Sequence, residues 1–147
     1  MLDIFTPEYF MKEALKEAHN AFSQGEIPVG AVIVSNNIII ARTHNLTEKL
    51  RDVTAHAEMM AITSATEAMG GKYLGDCHIY VTLEPCVMCG GALAWAQIGE
   101  ITFGASDPSR GAGRLSENIY HPKTKIQEGV MKTECAQLMK EFFKGKR

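Results

Sequence analysis

The sequence predicts a three-layer α/β domain built around a mixed β-sheet. The chain opens with an amphipathic helix pattern and a hairpin pattern, and strand patterns then alternate with helix patterns to its end. Strands that alternate with helices form parallel pairs whose crossover helices cover the sheet, and the opening hairpin adds an antiparallel pair. A chain of 147 residues with 46% hydrophobic residues suits one such core, so we expect a single domain over residues 1–147.

The first elements are indicated by local signals. Thr6 followed by Pro7 is a helix-start pattern, in which a capping side chain precedes a proline at the first helical position. Apolar residues then recur at 3.6-residue spacing, which predicts an amphipathic helix ending near Gly25. Two β-branched runs, 29–35 and 38–43, flank a pair of asparagines. Asparagine tolerates a positive φ, so these runs are expected to form a tight hairpin.

The later elements alternate in type. We predict helices over 54–69, 85–97 and 130–143, and strands over 77–83, 98–105 and 124–127. The stretch 107–120 is rich in glycine, serine and charge, and is expected to be a loop or a short irregular helix. One apolar stripe of the last helix is expected to be buried, namely Met131, Cys135, Leu138, Met139, Phe142 and Phe143.

Composition indicates a cytoplasmic protein. The N-terminus lacks the basic start and apolar run of a signal peptide, and no stretch approaches the roughly 20 apolar residues that cross a bilayer. In the cytoplasm, the four cysteines are expected to be thiols or metal ligands rather than disulfides.

Charge is distributed unevenly along the chain. Residues 1–106 hold six Lys/Arg and twelve Asp/Glu, whereas residues 107–147 hold nine Lys/Arg and five Asp/Glu. A basic C-terminal quarter on an acidic body is consistent with a polyanion that docks at one edge. Solvated helix faces and a basic tail explain the same charges, and on charge alone we favour that simpler interpretation.

Two short segments contain residues suited to metal chemistry. His56-Ala57-Glu58 and Pro85-Cys86-Val87-Met88-Cys89 both fall where a helix is expected to begin. Cys86 and Cys89, one helical turn apart, can direct both sulfurs to one point, and His56 adds a nitrogen. Three protein ligands leave a fourth position of a zinc ion open for water, as in catalytic sites, and such water ionises at a pKa of roughly 7.

Glu58 is the candidate for moving protons at this site. A carboxylate beside the activated water can take its proton and deliver it to a ring nitrogen and a leaving amine, which is hydrolytic deamination. The pair Cys-x-x-Cys alone would indicate a redox pair or half of a structural zinc site. Together, however, His-x-Glu and Pro-Cys-x-x-Cys form the pattern of zinc deaminases, which favours a catalytic zinc.

Around these motifs the sequence closely resembles the bacterial tRNA-specific adenosine deaminases of the cytidine deaminase-like superfamily. The resemblance covers nearly the whole chain. It rests on these segments: Ile27–Val32, Asn45 eleven residues before His56, Val81–Ala92, Phe103–Asp107, His121-Pro122, and the ending from Glu134 to Phe143. The blocks flanking the metal motifs are more specific to the tRNA enzymes than the metal motifs themselves.

The resemblance implies a cytidine deaminase-like fold with a five-stranded mixed sheet between helices. It also implies a homodimer with one Zn²⁺ per subunit. The implied reaction converts adenosine to inosine at the anticodon wobble position of tRNA, with Asn45 touching the flipped-out base and the Asp107 region lining the groove for the anticodon loop. Extruding a base that is already unpaired in a loop costs little. The basic C-terminal quarter is then interpreted as a surface for phosphates.

The sequence departs from the relatives after Asp107. Many of them place a lysine two residues later, where this chain has Ser109, and the stretch 112–115 is one residue shorter than in some. Arg110 is a candidate to supply the missing charge.

Two alternatives stay open at this point. One is a deaminase of free nucleobases or nucleosides of the guanine or cytosine type. The amphipathic last helix and basic tail argue against it. The other is a non-catalytic zinc or RNA-binding module, against which the presence of Glu58 argues.

Overall fold

Residues 4–146 are described by a computed structural model, in which five helices and five strands follow each other along the chain. The helices are α1 (Pro7–Ser23), α2 (Thr47–Leu50), α3 (Ala57–Met69), α4 (Val87–Trp95) and α5 (Lys132–Lys144). The strands are β1 (Gly30–Ser35), β2 (Ile38–His44), β3 (His78–Leu83), β4 (Glu100–Ala105) and β5 (Lys125–Glu128). A short 3₁₀ turn, Ala112–Arg114, lies in the stretch that was expected to be irregular.

The five strands form one mixed sheet in the order β2-β1-β3-β4-β5. Strand β1 pairs antiparallel with both β2 and β3, whereas β3, β4 and β5 run parallel. The predicted fold class, a three-layer α/β/α architecture with a five-stranded mixed sheet, is confirmed. The carboxyl ends of the parallel strands β3 and β4 lie side by side, with Leu83 paired to Ala105. In α/β folds this is the edge where sites form.

Helices cover both faces of the sheet because residues along each strand alternate between the two faces. Ala31 and Ile33 of β1 belong to a core shared with α3 and α4, and Val32 and Val34 belong to a second core shared with α1 and α5. The amphipathic pattern of α1 is therefore used as predicted, with Phe10 among its fully buried residues.

Two glycines allow helices to approach the sheet closely. A Cβ atom at Gly30 would stand 2.1 Å from the carbonyl oxygen of Ala14 in α1. A Cβ atom at Gly104 would stand 2.4 Å from Sγ of Cys135 in α5. Side chains at these two strand positions would push α1 and α5 away from the sheet.

The hairpin between β1 and β2 forms as predicted. Asn36 and Asn37 both have positive φ, 51° and 63°, which is the backbone conformation of a two-residue hairpin turn. The pairing shifts by one residue between Ile33 and Val34.

The structure corrects the expected helix boundaries and one expectation of burial. The helix predicted from residue 54 begins only at Ala57, and α2 precedes it, although no helix was predicted there. In α5, Cys135, Leu138 and Phe142 are buried as expected, but Phe143 is 48% exposed. Adjacent residues of a helix point about 100° apart, and here Phe142 faces the core while Phe143 points toward the cavity that it lines.

Among the helices within residues 4–146, none has the length and apolar character that crossing a membrane requires.

Candidate active site and metal centre

A cavity of about 600 Å³ opens at the carboxyl ends of β3 and β4. Its walls come from the segments that follow these two strands, from the start of α3, from the end of β2 and from one face of α5. Five of the six residues proposed from the sequence line it, namely Asn45, His56, Glu58, Cys86 and Asp107. The sixth, Cys89, is fully buried, with its sulfur 3.5 Å from His56.

Two helix starts bring the nitrogen and the two sulfurs together. His56 is the N-cap residue of α3 and Cys86 is the N-cap residue of α4, and both have extended backbones with ψ of 151° and 175°. Cys89 lies in the first turn of α4. The potential ligand atoms of these three residues all lie within 4.8 Å of one another, and residues 4–146 contain no other such group of His, Cys, Asp and Glu.

The distances between these donors fit zinc. Tetrahedral coordination with Zn–S of about 2.3 Å and Zn–N of about 2.05 Å requires about 3.6 Å between nitrogen and sulfur. Nδ1 of His56 lies 3.6 Å from Sγ of Cys86 and 3.5 Å from Sγ of Cys89. The N/S₂ donor set is also one that Zn²⁺ prefers, so both chemistry and spacing suit this ion.

The two thiols have opposite electrostatic properties. A hydrogen bond from Cys89, followed by one from His56, lowers the pKa of Cys86 to about 4. The pKa of Cys89 is raised, because Cys89 donates to Cys86 and is desolvated by burial. The bond to Cys86 raises the pKa of His56. The hydrogen bonds to Cys86 thus favour its thiolate form at the start of α4, where the helix dipole also favours negative charge.

Glu58 is a buried carboxyl group, with 4% of the residue exposed. Burial raises its pKa to about 7, and the neighbouring Cys86 contributes in the same direction. Residues two apart within a helix point in different directions, so the shared location of His56 and Glu58 needs an explanation. His56 lies outside the helix with an extended backbone, whereas Glu58 is in the first helical turn. The helical rotation therefore does not separate the two side chains.

Asn45 is held in place at the wall of the cavity. Its Nδ2 donates to the carbonyl oxygen of Ile27 at 3.3 Å, and its Oδ1 accepts from the backbone N–H of Thr47 at 3.3 Å. The following helix α2 has its N-terminal N–H groups capped by Glu26, which is 1% exposed and accepts from Glu48 and Lys49. A buried carboxylate thus fixes the segment that carries Asn45.

Asp107 lies at the mouth of the cavity and organises its own loop. Its Oδ1 accepts from the backbone N–H groups of Ser109 and Arg110 and from the hydroxyl of Ser109. Arg110, the candidate for the missing positive charge, is exposed and also lines the cavity.

Sequence reasoning missed three residues at this site. Glu26 caps α2, Glu84 accepts two backbone hydrogen bonds from the Asp107 loop, and Phe143 of α5 lines the cavity. Glu84 was part of the block on which the resemblance rests, but its partners are 23 and 29 residues away and left no local signal.

Two further histidines and the tryptophan do not line the main cavity. His44 contacts Glu17 and Gln24, and His121 lines a second cavity beside the starts of β3 and β4, so neither belongs to the wall of the main cavity. Trp95 is 84% exposed and is not a core residue of this chain.

Comparisons with known proteins agree with this architecture. The sequence profile of the MafB19-like deaminases matches residues 6–147. The tRNA-specific adenosine deaminase of Aquifex aeolicus (strain VF5) is 44% identical over 142 residues, which are 93% of each chain. The tRNA-specific adenosine deaminase of Bacillus subtilis (strain 168) is 42% identical over 93% of this chain and 88% of its own.

Solved structures share the fold. One comes from work on A-to-I editing by tRNA:A34 deaminases at the wobble position of transfer RNA. It has a TM-score of 0.83, 41% identity, and coverage of 88% of this chain and 98% of that chain. A guanine deaminase from Nitrosomonas europaea has a TM-score of 0.84 over 93% of this chain and 84% of its own, but at 22% identity the likeness concerns the fold alone.

The three-layer fold is that of a deaminase domain. The chain belongs to the MafB19-like deaminase family.

Proposed function

We propose that this protein is a hydrolytic deaminase that converts adenosine to inosine at the anticodon wobble position of tRNA. The observation that carries the proposal is the cavity in which a buried carboxyl group, Glu58, lies beside the His56–Cys86–Cys89 donor group. The substrate is supported by relatives named tRNA-specific adenosine deaminase, which align over nearly the full chain at 42–44% identity.

His56, Cys86 and Cys89 would hold one zinc ion per chain. Their N/S₂ donor set and the 3.5–3.6 Å separations between nitrogen and sulfur support this assignment. Zinc bound there would supply a Lewis acid that makes water nucleophilic near neutral pH.

Glu58 is the proton carrier in this proposal. Water adds to the ring carbon that bears the amino group, and ammonia leaves from the same carbon. Glu58 takes one proton from the attacking water and delivers it to the ring nitrogen, and it then carries the second proton of that water to the departing amine, which leaves as ammonia. A pKa of about 7, raised by burial, suits a group that must both accept and donate a proton near neutral pH.

Asn45 and Asp107 are the proposed contacts to the substrate. Asn45 offers a fixed amide at the cavity wall, where it would bind the extruded base. Asp107, with the exposed Arg110 next to it, would line the path of the anticodon loop. The nine Lys/Arg residues after residue 106 would then lie near the phosphates of the RNA.

We further propose a homodimer in the cytoplasm. Met88 and Trp95 lie two helical turns apart on α4 and are 37% and 84% exposed. Packing these two residues against a second copy of the chain would remove a tryptophan from water. Light scattering tests the proposal, because it measures whether the molar mass in solution is that of one chain or of two. Trp95→Asp should shift the population toward the single chain.

The deciding experiment offers the zinc-loaded protein an anticodon stem-loop with adenosine at the wobble position. Guanine, cytosine, adenosine and cytidine are offered separately. We expect inosine in the stem-loop, detected by nucleoside chromatography, and no ammonia from the free compounds. The control is the same stem-loop with the adenosine moved to a paired position of the stem. If a free base released ammonia and the stem-loop stayed unchanged, the substrate would be a small molecule and not the RNA.

A further inference from the structure

Glu84 occupies the junction between β3 and the segment that carries Cys86. It follows Leu83, the last residue of β3, and precedes Pro85. The residue is half-buried and lines the cavity, but it is not one of the three donors of the metal group.

Its carboxylate holds both ends of one loop. Oε1 accepts from the backbone N–H of Asp107 at 2.9 Å, and Oε2 accepts from the backbone N–H of Gly113 at 2.8 Å. The loop between these residues is tightened internally, because the N–H of Gly111 donates to the carbonyl of Asp107 at 2.8 Å. One side chain therefore closes a seven-residue segment, 107–113, that includes Arg110.

Two glycines leave room for this carboxylate. A Cβ atom at Gly111 would stand 2.4 Å from Cδ of Glu84, and one at Gly113 would stand 2.6 Å from Oε2. Neither glycine has a positive φ, so backbone strain does not explain the absence of side chains here. The space that the missing Cβ atoms leave is occupied by the carboxylate of Glu84.

The same loop is attached directly to the metal-donor segment. The N–H of Ala112 donates to the carbonyl of Pro85 at 2.9 Å, and Gly111 forms a β-bridge with Cys86. On its other side the loop packs on α4, where a Cβ atom at Gly90 would lie 3.2 Å from Cβ of Ala112. The loop is thus fixed relative to the donors, and Glu84 adds one side-chain hydrogen bond at each of its ends.

We propose that Glu84 is a positioning residue that locks the 107–113 loop beside the cavity, so that Arg110 and Asp107 are presented to the RNA in a fixed arrangement. This inference rests on the proposed function. Glu84 carries out no chemical step in this proposal: its two oxygens accept from the backbone N–H groups of Asp107 and Gly113.

A carboxylate is needed because both partners are donors. In Glu84→Gln one oxygen becomes an NH₂ group, which faces a backbone N–H and cannot accept from it. Loss of this hydrogen bond should weaken binding of the RNA. Simple electrostatics predicts the opposite, because removing a negative charge near an anionic substrate should strengthen binding. The two explanations therefore predict changes of KM in opposite directions.

The test compares Glu84→Gln with Glu117→Gln, which removes the same charge from an exposed position on the connection after the 3₁₀ turn. For Glu84→Gln we expect hydrogen exchange at the backbone amides of Asp107 and Gly113 to accelerate at least about tenfold. We also expect KM for the stem-loop to rise at least about fivefold. The kcat and the zinc content per chain should stay near wild type. Glu117→Gln should leave the exchange unchanged and KM equal or lower.

A second variant approaches the same contact from the loop. Gly113→Ala places a Cβ atom against Oε2 while Glu84 remains, and it should raise KM and accelerate exchange in the same way. If Glu84→Gln does not fold, the KM and the amide exchange of Gly113→Ala test the proposal instead. An unchanged or lower KM with normal exchange, or a lower kcat with unchanged KM, overturns the positioning role. A wild-type protein inactive on the stem-loop would refute the proposed function, whereas unchanged exchange would refute the lock itself.

Discussion

Nδ1 of His56 stands 3.5 Å from Sγ of Cys89, although 33 residues separate them along the chain. This distance, together with 3.6 Å to Cys86, is what a tetrahedral zinc ion requires of its nitrogen and sulfur ligands. The two residues belong to different helix starts, so the metal would join α3 to α4 at the base of the cavity.

We therefore expect removal of zinc to reduce stability as well as activity, because a ligand that binds only the folded state stabilises it by mass action. A strong chelator should lower the midpoint of thermal unfolding, and added Zn²⁺ should restore it. Cys89→Ala should have little zinc by elemental analysis and should not respond to either treatment. Cys77→Ala is the matched control, because Cys77 is buried but does not belong to the donor group, so this variant should keep one zinc per chain. Full zinc in Cys89→Ala would refute the ligand assignment.

Glu58→Gln tests whether Glu58 is needed for proton transfer but not for zinc binding or for stability. The amide keeps the shape of the side chain but cannot accept and return a proton, so kcat should fall by about 10²–10⁴-fold. Zinc content should be retained. Thermal stability should be equal or higher, since a carboxyl group whose pKa is raised by burial is replaced by a neutral group. Glu67→Gln changes an exposed glutamate on the same helix and should leave all three quantities unchanged. Substantial turnover by Glu58→Gln would show that another group moves the protons.

The longer elements and the two segments that carry the donor residues could be predicted, because each depends on local sequence. Hydrophobic periodicity identified the α1 pattern, and the Asn36-Asn37 pair identified the hairpin turn. The helix α2 could not be found in this way, because it has four residues and is capped by Glu26 from more than twenty residues away. The role of Glu84 likewise depends on backbone groups that only the folded sheet brings near it.

Arg110 should contribute to RNA binding through charge. Its side chain is exposed and lines the cavity next to Asp107. Arg110→Gln should weaken binding of the stem-loop and reduce the slope of log K against log salt by about 0.7 for a single-stranded contact. The control Lys72→Gln removes an exposed charge that does not line the cavity, and its slope should match wild type. If the salt dependence of binding by Arg110→Gln matched that of wild type, Arg110 would not contact a phosphate of the RNA.

His78 should make stability depend on pH. Burial lowers the pKa of His78 to about 4, although the carboxylate of Glu100 lies 3.7 Å from its Nδ1 and favours the charged form. In the unfolded chain a histidine titrates near 6.5. Between these values the unfolded state binds a proton that the folded state excludes, so the contribution of neutral His78 is complete above about pH 6.5 and is lost as the pH falls toward 4.

The measurement is the free energy of unfolding by urea at pH 7.5 and pH 5.0, for wild type and for His78→Gln. Titration of the other groups cancels in the difference between the two proteins. From the unfolded pKa and the lower pH, wild type should lose about 2 kcal/mol more than His78→Gln over this interval. His19→Gln, at an exposed position of α1, should lose as much as wild type. Equal losses in wild type and His78→Gln would mean that His78 takes up its proton in the folded protein.

The neighbours Phe142 and Phe143 should have separate roles. Phe142 is 8% exposed and packs edge-to-face against Phe22 with ring centroids 5.7 Å apart, so Phe142→Ala should cost about 3–5 kcal/mol of stability. Phe143 is 48% exposed and lines the cavity, so its removal should leave the unfolding midpoint nearly unchanged.

An exposed aromatic ring at the edge of a nucleotide site can stack on an unpaired base, and such a contact contributes about 1–3 kcal/mol per base. Phe143→Ala should therefore raise KM for the stem-loop, whereas Phe143→Tyr should retain the wild-type value because it keeps the ring. Chemical denaturation and steady-state kinetics on the same four proteins separate the two effects. If Phe143→Ala lost stability and kept its KM, this ring would belong to the packing of α5 rather than to the substrate site.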